Sequence, residues 1–542
     1  MSAGRHLVGV DVGTGSARAG VFGADGALLA HATRDIRMWR EDGGIVEQSS
    51  DDIWRAVCAA VRAAMAESGV PAEAVAGIGF DATCSMVVVD ADGAPLPVGP
   101  SEDAQRNVIV WMDHRATPQA ERINAGGHDV LRYVGGRISP EMQTPKLLWL
   151  RENRPAIFAR AGHFLDLPDY LSWRATGSLS RSLCTVVCKW TYLGHERRWD
   201  ADYFRAIGLG ELADEGFSRI GPEIGDVGAA LGAGLTAEAA ADLGLAPGTA
   251  VGGSLIDAHA GGLGSLGWAG SDVSTQLALI AGTSSCTMSV TREPTYVDGV
   301  WGPYFGAMIP GYWLTEGGQS GFGASLDHVV AMHPAAPAVH MQAQAAGLSL
   351  PAQLERMAIA RAGSIEAAAR LGSGIHVVPE FLGNRSPEPD PDATAIIAGL
   401  RLETSADSLV DLFVATVRGL AYGTAAIVDT LVAAGQPLDT ILVSGGAARS
   451  ALLRRILADA TGRTVAVPAA PEPVLLGAAM LGAVASGVHA SLGNAASAMV
   501  GSPSASIDPD PAAVDFHAAG RRAYRALQLC ERALRREAEP TA

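Results

Sequence analysis

His6-Leu7-Val8-Gly9-Val10-Asp11-Val12-Gly13-Thr14-Gly15-Ser16-Ala17-Arg18-Ala19-Gly20-Val21-Phe22 reads as an apolar strand, a tight polar turn and a second apolar strand. Glycines beside Thr14 and Ser16 leave backbone N–H groups and hydroxyls free to hold phosphate oxygens. The design recurs far along the chain: Leu277-Ala278-Leu279-Ile280 enters Gly282-Thr283-Ser284-Ser285 and leaves through Met288-Ser289-Val290. One copy alone would read as an ordinary hairpin. Two copies suggest a nucleotide gripped between related domains.

The rest of the chain is consistent with that scale. Its 542 residues, 48% apolar and 18% charged, supply material for two packed cores. A net charge of −17 argues against nucleic acid as the main ligand, so an anionic ligand must be met by local positive groups. The six cysteines, Cys58, Cys84, Cys184, Cys188, Cys286 and Cys530, have the spacing of neither a disulfide framework nor a zinc site. Cys184 and Cys188 read as buried apolar thiols. His6 enters a strand without an export signal before it, which leads us to expect a cytoplasmic protein. The apolar run from Val474 to Val488 is shorter than the roughly 18 residues of a membrane span and rich in Gly and Ala, so it reads as a tightly packed buried helix, and no membrane partner is expected.

Three antiparallel strands are predicted from His6 to Ala30, then a helix over Ile53–Ser68 capped by Asp51-Asp52, with Trp54, Val57, Cys58, Val61 and Met65 at helical spacing. Val75–Phe80 returns to strand, giving a sheet covered by helices. A similar order begins near residue 270. The boundary falls in the Gly-rich stretch Gly261–Gly270, dividing the chain into 1–268, 269–500 and a linker with an outer helix at 501–542.

Several side chains have chemistry to offer. Asp11, just before the first turn, suits Mg²⁺ beside nucleotide phosphates, or caps the turn. Arg18 could reach the phosphates or lie on the hairpin surface. Asp257, in Gly253-Ser254-Leu255-Ile256-Asp257-Ala258-His259-Ala260-Gly261, opens a helix among small residues. It is a candidate general base for a hydroxyl attacking a γ-phosphoryl group, against the commoner role of N-cap; His259 reads as a satisfied structural histidine. Only two of the 40 basic residues are lysines, Lys146 and Lys189. A compact ammonium does in a small pocket what a planar guanidinium cannot, so both are candidates for ligand contact. Glu316 and Gln319 lie on a Gly-rich loop and could hold sugar hydroxyls. Gly383-Asn384-Arg385-Ser386-Pro387 reads as a turn. Ser444-Gly445-Gly446-Ala447-Ala448-Arg449-Ser450, between a strand and a helix, could admit an adenine or a phosphate.

Taken in order, DVGTGSARAGVF, WMDHRA, IDAHAGG, AGTSSC, EGGQS, GNRSP and SGGAARS resemble the FGGY family of carbohydrate kinases over roughly residues 6–490. Phe80-Asp81-Ala82-Thr83-Cys84-Ser85-Met86-Val87 resembles the TCSLV-type signature of D-ribulose kinases, with Met86 in place of Leu. The resemblance implies an α/β, actin-like ATPase (ribonuclease H-like) fold of two related domains around a cleft, ATP with Mg²⁺ held at Asp11, and phosphorylation of the terminal hydroxyl of a ketopentose, D-ribulose before L-ribulose or another pentulose or pentitol. It implies Asp257 as base, and Thr83, Cys84, Ser85, Trp111, Asp113, Lys189 and Glu316 around the sugar. The nucleotide would fall to Gly13, Thr14, Gly15, Ser16, Arg18, Gly282, Thr283, Ser284, Gln319, Gly445, Gly446 and Ala447. A homodimer is compatible with this reading. A non-catalytic actin-like ATP switch would share the turns without needing Asp257 or Lys189. A phosphatase with a covalent aspartyl-phosphate would not explain two nucleotide turns.

Overall fold

In the structure, a computed structural model, residues 6–538 are described. Strand His6–Val12 folds back through Ser16–Gly23 to Leu28–Asp35, antiparallel throughout. On its other edge it pairs in parallel with Val75–Ala82, which pairs in parallel with Ala250–Ile256. The second sheet repeats this order at its centre. Gln276–Ala281 lies antiparallel to Ser285–Thr291 and parallel to Thr440–Ser444; Trp313–Gln319 and Thr464–Val467 flank these, and Trp301–Phe305 and Ala505–Ile507 form the edges. The inner strands read as near-continuous apolar runs because helices cover both faces: Leu7, Val8, Val10 and Val12 are all fully buried.

Helix Ser50–Ser68 packs on the first sheet with Ile53, Val57, Ala60, Val61 and Ala64 turned inward. Its cap is Ser49, whose hydroxyl accepts from the Asp52 amide, rather than the expected Asp51-Asp52. Those two carboxylates sit in the first turn, where they complement the helix dipole.

The apolar run read as a buried helix forms Pro473–Ala485. Chain order groups it with 269–500, yet it packs on the strands of the first sheet and on helix Asp257–Leu263. Glycine permits the close approach. A Cβ on Gly79 would stand 2.0 Å from the Ala478 carbonyl oxygen, and one on Gly477 2.0 Å from that of Ala260. In space, then, the first body is residues from the N-terminal half plus this returning helix. The one helix long and apolar enough to cross a membrane among the described residues is Ala406–Ala433, not 474–488, and 89% of its apolar window is buried inside the protein. The outer helix Val514–Ala538 is strapped to the segment around residues 380–390: Arg525 and Arg532 pair with Glu388, Arg535 with Asp390, and Gln528 donates to Glu380 at 2.6 Å.

Candidate active site

Three carboxyl groups meet at the carboxyl edge of the first sheet. Register places Asp11 opposite Asp81, and Ile256 opposite Ala82, so that Asp257 follows directly at the start of helix Asp257–Leu263. Arg18 bridges out of this group, its Nε donating to Asp11 at 2.7 Å and its terminal nitrogen lying 2.9 Å from Glu472, just before the returning helix. Asp81 is fully buried, and neither of its oxygens accepts a hydrogen bond. Burial, and then the neighbouring Asp11 charge, push its carboxyl well above the usual range. Sequence reading assigned Asp81 no role; the shared pattern Val10-Asp11-Val12 and Phe80-Asp81-Ala82 at the ends of two parallel strands is the signal that could have found it. Asp257 accepts from the Ala258 amide at 2.7 Å, and burial followed by Asp11 raises its carboxyl to about 6.

A second group of buried polar residues acts on Asp257 from helix Leu183–Lys189 and its surroundings. Lys189, the last residue of helix Leu183–Lys189, is buried with its Nζ 5.3 Å from the centre of the Trp301 ring. Arg385 lies over the same ring at 5.4 Å. The GNRSP segment thus also packs a guanidinium on Trp301, a contact that the sequence reading missed. Trp301 and Glu316 are cross-strand partners. Burial opposes the Glu316 charge, but a hydrogen bond from His259 and the Lys189 ammonium outweigh it and hold the carboxylate down to about 2. Burial likewise opposes the Lys189 charge, and the Cys84 and Glu316 groups outweigh it, raising the ammonium well above its ordinary value. Lys189 and Glu316 thus each favour the other's charged form.

The Thr83-Cys84-Ser85 segment adjoins Lys189. Thr83 and Ser85 share a hydrogen bond at 3.0 Å, Gln143 donates to the Cys84 carbonyl at 2.9 Å, and burial pushes the Cys84 thiol up to about 12. Trp111 joins this wall to the first turn, its amide donating to Ser85 Oγ at 3.1 Å and its Nε1 to Thr14 Oγ1 at 3.0 Å. Lys146 is not a free ligand contact. Its ammonium is spent on the carbonyls of Val110, Trp111 and Glu141 at 3.0–3.3 Å, fixing the Trp111 loop, and burial lowers it to about 8.

Asp113 does not face the pocket. Its carboxylate accepts from Arg115 Nε at 2.8 Å, from Arg115 Nη2 at 2.7 Å, from the Arg115 amide at 3.0 Å and from the Val46 amide at 2.7 Å, within a buried network that continues to Glu47 and Arg106. With every lone pair committed to protein donors, it braces the loop instead. Gln319 ends the strand Trp313–Gln319, opposite Ser285 of the second turn, but its side-chain amide nitrogen donates to the Leu420 carbonyl and to Thr424, both at 3.0 Å, and so is turned into the second body.

The turns themselves are open. Gly13, Thr14 and Ser16 are half-buried and Gly15 exposed; Gly282 and Thr283 are exposed and Ser284 half-buried. Parallel pairing of Ile280 with Ser444 sets Gly445, Gly446 and Ala447 beside the second turn. Gly445 has φ of 80°, and a Cβ there would stand 2.6 Å from the Ala281 carbonyl oxygen. The geometry offers open backbone at the two Gly-rich turns, and buried charged side chains whose charges, with that of Asp11, act on Asp257. Such an arrangement can deprotonate a hydroxyl and pass a phosphoryl group to it.

Comparison with known proteins agrees with this geometry. Residues 6–264 match the N-terminal domain, and residues 277–486 the C-terminal domain, of the FGGY family of carbohydrate kinases. The chain is 47% identical to a human FGGY carbohydrate kinase domain-containing protein, over 91% of each chain. It is 38% identical to a D-ribulokinase of Saccharomyces cerevisiae, over 89% of this chain and 72% of that one. The crystal structure of a xylulose kinase from Rhodospirillum rubrum superimposes with a TM-score of 0.80 at 22% identity, covering 98% and 99% of the two chains, which shows the shared two-domain, actin-like ATPase fold. Sheet order, the two phosphate turns and these likenesses together make the chain a member of the FGGY family of carbohydrate kinases, ATP-using phosphotransferases that act on sugar hydroxyls.

Proposed function

We propose that this kinase transfers the γ-phosphoryl group of ATP to the terminal hydroxyl of a ketopentose, with D-ribulose preferred over L-ribulose. The observation that carries the reading is Asp257 at the start of helix Asp257–Leu263, near enough to both Asp11 and Lys189 for their charges to act on it. The 38% identity to a D-ribulokinase supports the choice of sugar. Asp257 takes the proton of the attacking hydroxyl. Its raised basicity suits that task better than an ordinary aspartate, because a base near the working pH both exists ionised and accepts readily. Lys189 and Glu316 hold the sugar's other hydroxyls as donor and acceptor, and the small Cys84 and Ser85 set the size of the pocket. Arg18, held by Asp11 and Glu472, meets the transferred phosphoryl oxygens on this reading. Gly282, Thr283 and Gly445–Ala447 cradle the nucleotide with backbone N–H groups.

A magnesium ion fits this edge. Asp11 beside Asp81, a buried carboxyl with no donor at either oxygen, is a hard-oxygen set suited to a partly hydrated divalent cation. Asp11 and Asp81 would hold the ion, which when bound neutralises charge on the phosphate oxygens.

An ADP-release assay across D-ribulose, L-ribulose, D-xylulose, L-xylulose, ribitol, D-arabitol and glycerol tests the reading. D-Ribulose should give the highest kcat/KM. A different best sugar would overturn the specificity while keeping the kinase, and ADP release independent of any sugar would overturn the transfer itself.

A further inference from the structure

A buried cysteine and histidine behind Glu316 have no place in the mechanism above. Cys184 Sγ and His259 Nδ1 share a hydrogen bond at 3.1 Å, and His259 Nε2 donates to Glu316 at 3.3 Å. The same sulfur accepts from the Ile256 amide at 3.4 Å. Cys184 and His259 are fully buried and Glu316 nearly so. Cys188 lies one helical turn along, close enough to form a three-ligand cluster with Cys184 and His259, yet it hydrogen-bonds neither His259 nor Ile256 among the described contacts.

We propose that Cys184 is a positioning residue for phosphoryl transfer, holding the backbone just before Asp257 through the Ile256 amide and the Glu316 carboxylate through His259. The inference rests on the roles given above to Asp257 and Glu316. Two features lead to it. One sulfur reaches both sides of Asp257 in sequence, at Ile256 and at His259. The same imidazole holds the Glu316 carboxylate, so both contacts run through one buried side chain. In support, His259 is raised to about 10, because Cys184 and Glu316 outweigh a burial that alone would lower it. Buried charges in such a chain hold each other's geometry, because breaking one member leaves another unpaired.

Cys184→Ala, Cys184→Ser and the volume control Cys188→Ala test this, with Asp257→Asn and Glu316→Gln alongside. Cys184→Ala should raise KM for the best sugar of the panel by about tenfold to a hundredfold, the worth of one hydrogen bond involving a charged group. It should lower kcat as well and leave KM for ATP within about twofold of the parent, while Cys184→Ser, which can still bond the imidazole, should recover part of the loss. Cys188→Ala should change the sugar KM far less. Parental kinetics in both Cys184 variants, an equal loss in Cys188→Ala, or parallel losses for sugar and ATP would each overturn the proposal. The two readings separate cleanly. An inactive Asp257→Asn with parental Cys184 variants sinks the chain and leaves the base, whereas a fully active Asp257→Asn with sugar-deficient Cys184 variants sinks the base and leaves the chain.

Discussion

The two strand–turn–strand units share a backbone plan and differ in charge. Around the first turn stand Asp11, Asp81 and Arg18, with Glu472 reaching in from the returning helix. The second turn, Gly282 to Ser285, has no ionisable side chain of its own, and the strand beside it ends in Ser444 and Gly445. The duplicated fold thus supplies two turns of similar shape, and under the function proposed above the charge on one of them decides where a cation and a reacting phosphoryl group sit, while the other holds the rest of the nucleotide by shape. An aspartate in the second turn would meet the same backbone but no Arg18 and no returning helix.

The comparison can be broken most severely at Asp257. Asp257→Asn should lower kcat by about 10²–10⁴-fold with ATP affinity nearly unchanged, measured by coupled assay and nucleotide titration; turnover near the parent's would remove the base. The next largest effect separates the two turns. Asp81→Asn should weaken Mn²⁺ binding, followed by electron paramagnetic resonance, by about tenfold or more, whereas Thr283→Val should leave Mn²⁺ binding alone and weaken ATP. Equal effects of the two substitutions would mean that charge does not distinguish the turns. A pH profile sharpens the point. The base must be ionised to act, so kcat should fall as pH drops through about 6 and level off above it, and the limb should vanish from any residual activity of Asp257→Asn. Smallest is a change of packing. Gly79→Ala forces a methyl against the Ala478 carbonyl and should cost about 1–3 kcal/mol of stability in denaturant titration, with the metal and sugar affinities of the folded fraction retained. Parental stability would show that the returning helix is free to shift.

Much of this was legible in the sequence, for local reasons. Alternation of apolar strand and Gly-rich turn is a short-range signal, so both cradles and their order could be read directly, and Lys189 stood out because the composition has so few lysines. What escaped is long-range. Asp113 looked like a pocket residue until Arg115 and the distant Val46 amide used up its carboxylate. Asp81 depends on strand register, and the Cys184–His259 contact joins residues 75 apart. Arg385 sits in a loop whose sequence says turn and whose packing puts a guanidinium on Trp301. The helix Pro473–Ala485 follows the second body in the chain and the first in space, a crossing that no composition shift marks.

The scarcity of lysine has one more effect. Lys146 and Lys189 are both buried, so across the described residues the folded surface carries its positive charge on guanidinium groups alone. Amine-directed chemistry, whether a cross-linker, a fluorophore or enzymatic acylation, finds no side-chain target on the closed molecule beyond the chain's α-amino group. Any amine label recovered on Lys189 would therefore report that the buried region around it had opened, giving this kinase a built-in chemical gauge of its own breathing.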